Sequence, residues 1–146
     1  MAMSLGQRGP STLVVHARAL QALGRMDEAE QRFRDTLKLS PTSIDPNRDL
    51  AQLIWMRTGD LKQAGQTLIN AINLAPNDNL LRMALAKLHQ FGGDPAGARD
   101  ILTDAVERMR TPDTLLLTHA ADVTLAEGDP EAALVLARRA QAVAPD

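Results

Sequence analysis

Cysteine is absent from this 146-residue chain, tyrosine is absent too, and two Phe and one Trp are its whole aromatic content. Without cysteine there is no disulfide framework, no thiolate nucleophile and no thiolate-held metal. That agrees with a reducing setting, and the cytoplasm is the expected compartment. An aromatic share of 2% leaves any core to Ala and Leu, which favour helices and let them approach closely. A basic excess is missing as well. The net charge is -2 and the pI about 5.9, which argues against nucleic acid, a partner that asks for a basic face and often for stacking aromatics. No apolar run approaches the length of a bilayer span, so no membrane partner is expected. Residues 1–10 lack the apolar stretch of a signal peptide and read as a flexible lead-in. Residues 11–146 read as one domain, long enough to bury a continuous core.

What the chain does have is a phrase that recurs. It appears as Gly24-Arg-Met-Asp-Glu-Ala29, Gly59-Asp-Leu-Lys-Gln-Ala64, Gly93-Asp-Pro-Ala-Gly-Ala98 and Gly128-Asp-Pro-Glu-Ala-Ala133. The glycines stand 35, 34 and 35 residues apart, and each is followed five residues later by Ala. Twelve residues beyond that Ala come Pro41, Pro76 and Pro145, while the third copy has Arg110 there and Pro112 two residues late. Each mark has a local reason. Gly ends a helix in a conformation that side chains resist. An acidic residue at the next helix start accepts hydrogen bonds from free N–H groups. Pro95 and Pro130 sit at helix starts, where a missing N–H costs nothing, and the late Pro closes the pair.

Between these marks the apolar residues recur at helical spacing: Leu13, His16, Ala17, Leu20 and Leu23, then Ala29, Phe33, Thr36 and Leu37. The pattern predicts helices near 11–23, 27–40, 46–58, 61–74, 79–91, 95–109, 113–127 and 130–143. One copy is irregular. Ala17, Ala86 and Ala121 precede their glycines by 7 residues and Ala51 precedes Gly59 by 8. One extra residue there would turn Trp55 off the core stripe of Leu50, Ala51 and Ile54.

The phrase resembles the tetratricopeptide repeat family, in whose second helix Ala is followed by a large residue four positions on and then by Pro. Ala29 with Phe33 and Pro41, and Ala64 with Leu68 and Pro76, follow that pattern. Ala98 with Leu102 and Ala133 with Ala137 and Pro145 follow it partly, and the first helices are degenerate. The resemblance implies an all-α solenoid, a right-handed superhelix of four helix-turn-helix repeats over about 11–43, 44–78, 79–112 and 113–146. It further implies a non-catalytic scaffold that holds a peptide or partner domain in a concave groove made by the first helices.

Catalytic chemistry finds little footing. His16 and His119 fall on the expected buried side of their helices and His89 takes the slot of Leu20. No His-x-Asp, His-x3-His or Glu-x-x-His spacing occurs, so no metal and no cofactor is expected. Gly92-Gly93-Asp94 lacks the Lys and spacing of a phosphate loop, and pairs such as Asp27/Glu28 and Asp100/Asp104 suit helix starts and solvated faces.

Carried over residue by residue, the groove should present Val14, Arg18 and Gln21, then Arg48, Gln52 and Trp55. The third repeat should add Met83, Lys87 and Gln90, and the fourth Thr118, Asp122 and Leu125. A cation and an amide in three repeats, with Trp55 near the middle, suit an extended or helical peptide carrying acidic groups. The plainer alternative makes these solvated side chains and Trp55 core. The family's clamp for chaperone tails would need Lys, Asn and Arg where this chain has Val14, Arg18, Asp49, Leu80 and Ala84; only Arg18 suits it. The last helix carries Leu134, Val135, Leu136 and Val143, too many apolar positions for one neighbour. It reads either as a stack that continues beyond Asp146 or as a surface for self-association. The segment Asp49–Asp60 also resembles, more weakly, repeat regions ahead of bacterial 2-oxoglutarate/Fe(II) oxygenase domains. The alternative it implies is an N-terminal region of a larger enzyme.

Overall fold

The computed structural model describes residues 10–143. In order, α1 (Pro10–Ala22), α2 (Met26–Leu39), α3 (Ile44–Thr58), α4 (Leu61–Leu74), α5 (Asn79–Phe91), α6 (Pro95–Arg108), α7 (Thr114–Ala126) and α8 (Pro130–Val143) make up its regular structure. No strand occurs among the described residues. The reading of the first ten residues falls outside them except for Pro10, as does Pro145. The expected helix ends agree to within two residues.

Gly24, Gly59, Gly93 and Gly128 all have positive φ, between 66° and 88°. This is the left-handed region that a Cβ disfavours, so Gly is the residue that can reverse the chain there. Three of the turns share one hydrogen-bond pattern. Gly24, Gly93 and Gly128 N–H donate to Gln21, Gln90 and Leu125 C=O, and the next residues, Arg25, Asp94 and Asp129, donate to Leu20, His89 and Thr124 C=O. That double closure satisfies two orphan carbonyls at each helix end. The second turn differs: Gly59 N–H donates to Trp55 C=O at 2.8 Å, and Asp60 N–H turns to the Thr58 hydroxyl. Here the helix runs to the residue before Gly, whereas the others stop two residues before it. The extra residue is thus absorbed in the last turn of α3, and Ala51 stays buried beside Leu50 and Ile54.

The starts of the second helices are capped as their acidic residues require. Asp60, Asp94 and Asp129 accept from Gln63, Gly97 and Ala132 N–H. The first copy departs from this. Arg25 holds the cap position of α2 without a side-chain bond to a backbone N–H, and Asp27, in the first turn, instead accepts from Arg57 at 2.6 Å. α3 begins at Ile44, two residues before the expected start, because Pro46 falls in the first turn, where no helix hydrogen bond needs its N–H. Asn47 beside it donates to the Pro41 and Ser43 carbonyls and holds the entering loop.

The chain divides into two compact units, Met1–Pro76 and Asn77–Asp146. Within the first, α1 pairs with α2, α2 packs on α3, and α3 pairs with α4, around Phe33, Leu50, Leu53 and Leu68. Within the second, α5 pairs with α6, α6 packs on α7, and α7 pairs with α8, around Met83, Leu102, Leu116 and Leu117. Small residues stand where helices cross: Ala29, Ala64, Ala98 and Ala133 are all buried. No helix among the described residues is long and apolar enough to cross a membrane.

Candidate functional site

Of the residues expected to face a groove, Val14 and Arg18 line a pocket of about 410 Å³ in the first unit. Val14, Val15 and Arg18 of α1, with Ile44, Asp45 and Pro46 at the start of α3, form most of its wall. Val15 is 65% exposed, so the wall keeps apolar surface in contact with solvent. Four charges meet at its edge. Arg18 Nε donates to Asp49 at 2.7 Å and its Nη2 lies 3.8 Å from Asp45. Arg48 Nη2 donates to Asp45 at 3.0 Å, and its Nε lies 3.6 Å from Asp49. The two guanidiniums and two carboxylates cancel in formal charge, so this face is far less cationic than Arg18 and Arg48 alone would make it.

The expected groove residues divide. In the first unit Arg18, Arg48 and Gln52 are exposed and Gln21 is half-buried. In the second, Lys87, Gln90 and Asp122 are exposed, as are Thr118 and Leu125, and neither Lys87 nor Asp122 has an ion pair among the described residues. Val14 and Met83 are corrections: at 6% and 4% exposure they belong to the core, although Val14 also floors the pocket. They hold the slot of Arg48 and Thr118. At such a boundary an apolar side chain turns inward to leave water, while Arg reaches out to a carboxylate. Trp55 is half-buried, in the slot of Gln21, Gln90 and Leu125, so it is neither sealed in the core nor fully presented.

Among the histidines, His16 is a correction. His16 is exposed and His119 half-buried. His89 occupies the slot that Leu20, Ile54 and Thr124 fill with buried side chains, and its Nδ1 lies 2.9 Å from Asp94 Oδ2. That bond, with the Gly97 N–H next in weight, holds the Asp94 carboxyl below its ordinary value. The Arg99 guanidinium and the Ala132 N–H do the same for Asp129. Among the described residues no group of three or more His, Asp or Glu side chains is placed to hold a metal ion.

Asp45 and Asp49, which the sequence reading did not see as partners of Arg18 and Arg48, were findable by register. Arg18 follows its small residue by one position and Asp49 precedes the next one by two, which sets them on facing edges of successive first helices.

Two tetratricopeptide repeat models match the chain, over residues 20–88 and 80–102. No curated protein sequence matches it. Among solved structures, MamA 41-end from Desulfovibrio magneticus RS-1 is similar with a TM-score of 0.61 at 17% identity, covering 96% of this chain and 78% of that one. A structure titled MamA RS-1 ArsTM double mutant gives 0.60 at 18%, covering 93% and 75%. A structure of Naa15/Naa10 bound to HypK-THB gives 0.57 at 24%, covering 90% of this chain but only 22% of that one. The two family models, which together span residues 20–102, and the four helix pairs turned by positive-φ glycines place the chain in the tetratricopeptide repeat family, with the all-α repeat fold of that family.

Proposed function

We propose that this chain is a non-catalytic protein-interaction scaffold that takes a peptide or partner domain on the exposed face of its first helices. The pocket of the first unit carries the reading. It joins an open apolar wall, Val15 and Ile44, to a guanidinium that still has N–H groups to give. An apolar side chain of the partner enters the pocket, and a carboxylate beside it takes the Arg18 donors not spent on Asp49. The Arg18–Asp49 pair tempers the preference for acidic partners, because each acidic group competes with a carboxylate already in place. The recurrence of the fold in a complex with another protein, Naa15/Naa10 bound to HypK-THB, agrees with a scaffold of this kind.

Peptides selected from a displayed library against the purified chain test this. Val15→Glu and Arg18→Glu should each weaken the selected peptides by about tenfold in fluorescence anisotropy, as loss of an anchor of more than 1 kcal/mol does. Peptides that bind both variants as tightly as the parent would mean that the pocket is not the site.

A further inference from the structure

Within each unit the second helix of one pair is covered by the first helix of the next, and these two junctions show what such a face needs. The residue just after the recurring Ala is half-buried in both: Glu30 of α2, bonded to Arg57 of α3 at 3.0 Å, and Arg99 of α6, bonded to Asp129 at 2.8 Å. The covering helices bury a stripe at i, i+4 and i+7: Pro46, Leu50 and Leu53 in α3, and Leu116, Ala120 and Val123 in α7. In α8 the junction face is built but bare. Its residue after Ala133 is Leu134, 49% exposed, with Val135 57% exposed beside it. The apolar patch stops short of Gln141, an exposed amide where α6 buries Val106. Arg138 holds the slot of Arg34. Arg34 is bonded to Glu30 four residues earlier, but in α8 that earlier residue is Leu134, and Arg138 and Arg139 have no carboxylate within ion-pair distance among the described residues.

We infer that α8 is a second docking surface, and that its occupant is an acidic amphipathic helix of a partner protein, with large apolar side chains at i, i+4 and i+7 and carboxylates flanking that stripe. The apolar stripe follows from the two internal junctions, and the acidity follows from Arg138 and Arg139, which outnumber the one carboxylate of α8, Glu131. A second copy of this chain fits less well in either arrangement. Docked head to tail it would offer α1, whose equivalent stripe is the exposed Thr12, His16 and Ala19, without one large apolar side chain. Paired across a two-fold it would bring together two arginines and one carboxylate, Glu131, from each copy, which leaves an excess of positive charge on both sides.

The probe is a synthetic helical peptide with leucines at i, i+4 and i+7 and glutamates on both flanks, alongside a twin with lysines for the glutamates. The acidic peptide should bind the chain about tenfold or more tighter than the twin, and Leu134→Glu should remove about tenfold of its affinity. Arg138→Glu should reverse the preference between the two peptides. Both side chains are exposed, and circular dichroism checks that the helices persist; were Leu134→Glu to unfold the chain, the reversal at Arg138 alone would decide. Equal binding of the two peptides, or binding indifferent to Leu134→Glu and Arg138→Glu, overturns the inference. So does sedimentation showing concentration-dependent association that Leu134→Glu abolishes, since the face would then belong to a second copy. The residues tested lie on α8 and those of the pocket on α1 and α3, so either proposal can fail without the other.

Discussion

At Gly97 an added methyl would meet the Asp94 carboxylate oxygen and stand 2.8 Å from His89 Nδ1. Gly97 has no special φ; it is glycine because the His89–Asp94 bond crowds the first turn of α6. Two effects oppose each other in Gly97→Ala. Helix propensity favours Ala by about 1 kcal/mol, while forcing apart a hydrogen-bonded cap costs about 1–3 kcal/mol. The second should win, so the variant should melt below the parent in calorimetry. Acid dependence is also set at single residues. Asp94 and Asp129 are held below their ordinary value in the folded chain, by His89 and by Arg99 first of all. A carboxyl with a lowered folded value adds stability that is full above its unfolded value of about 3.9 and fades as pH falls through the folded one. Urea midpoints should therefore be level near neutrality with respect to these groups and drop below about pH 4. In Asp129→Asn the acid-side drop should be shallower than in the parent.

At the scale of helices and turns, the chain was most legible. Glycines at fixed spacing predicted reversals, and each proved to be a left-handed residue closing a helix. The extra residue between Ala51 and Gly59 was readable too, because it sits in a local turn, where one type of closure replaces another. Gly128→Ala isolates the backbone cost. Its φ is 88° and nothing lies within 4 Å of the added methyl, so strain alone should lower stability by about 1–2 kcal/mol. The opposite outcome is expected at Arg25, the cap position of α2, whose side chain makes no capping bond. Arg25→Ser should supply one and raise stability by about 0.5–1 kcal/mol, more than the exposed Arg25–Glu28 pair contributes. A lower unfolding midpoint for Arg25→Ser would mean that the pair matters more than the cap.

For the molecule as a whole, the cores of the two compact units are assembled from residues that no local rule connects. Leu102, 1% exposed, sits with Met83, Leu116 and Leu117, so Leu102→Ala should cost about 2–5 kcal/mol in denaturant unfolding. Leu39 and Leu74, each two residues before Pro41 or Pro76 and exposed, should tolerate Lys within about 0.5 kcal/mol. The all-α class, the four helix pairs, their boundaries and their turns are written along the chain, because caps, left-handed glycines and helical spacing act within a few residues. It took the packing of neighbouring helices to turn Val14 and Met83 inward while Arg48 reaches out, to pair Arg18 with Asp49, and to leave Leu134 of α8 exposed. Those outcomes depend on which side chains from neighbouring helices compete for the same space and charge, and periodicity along one helix carries no record of that competition.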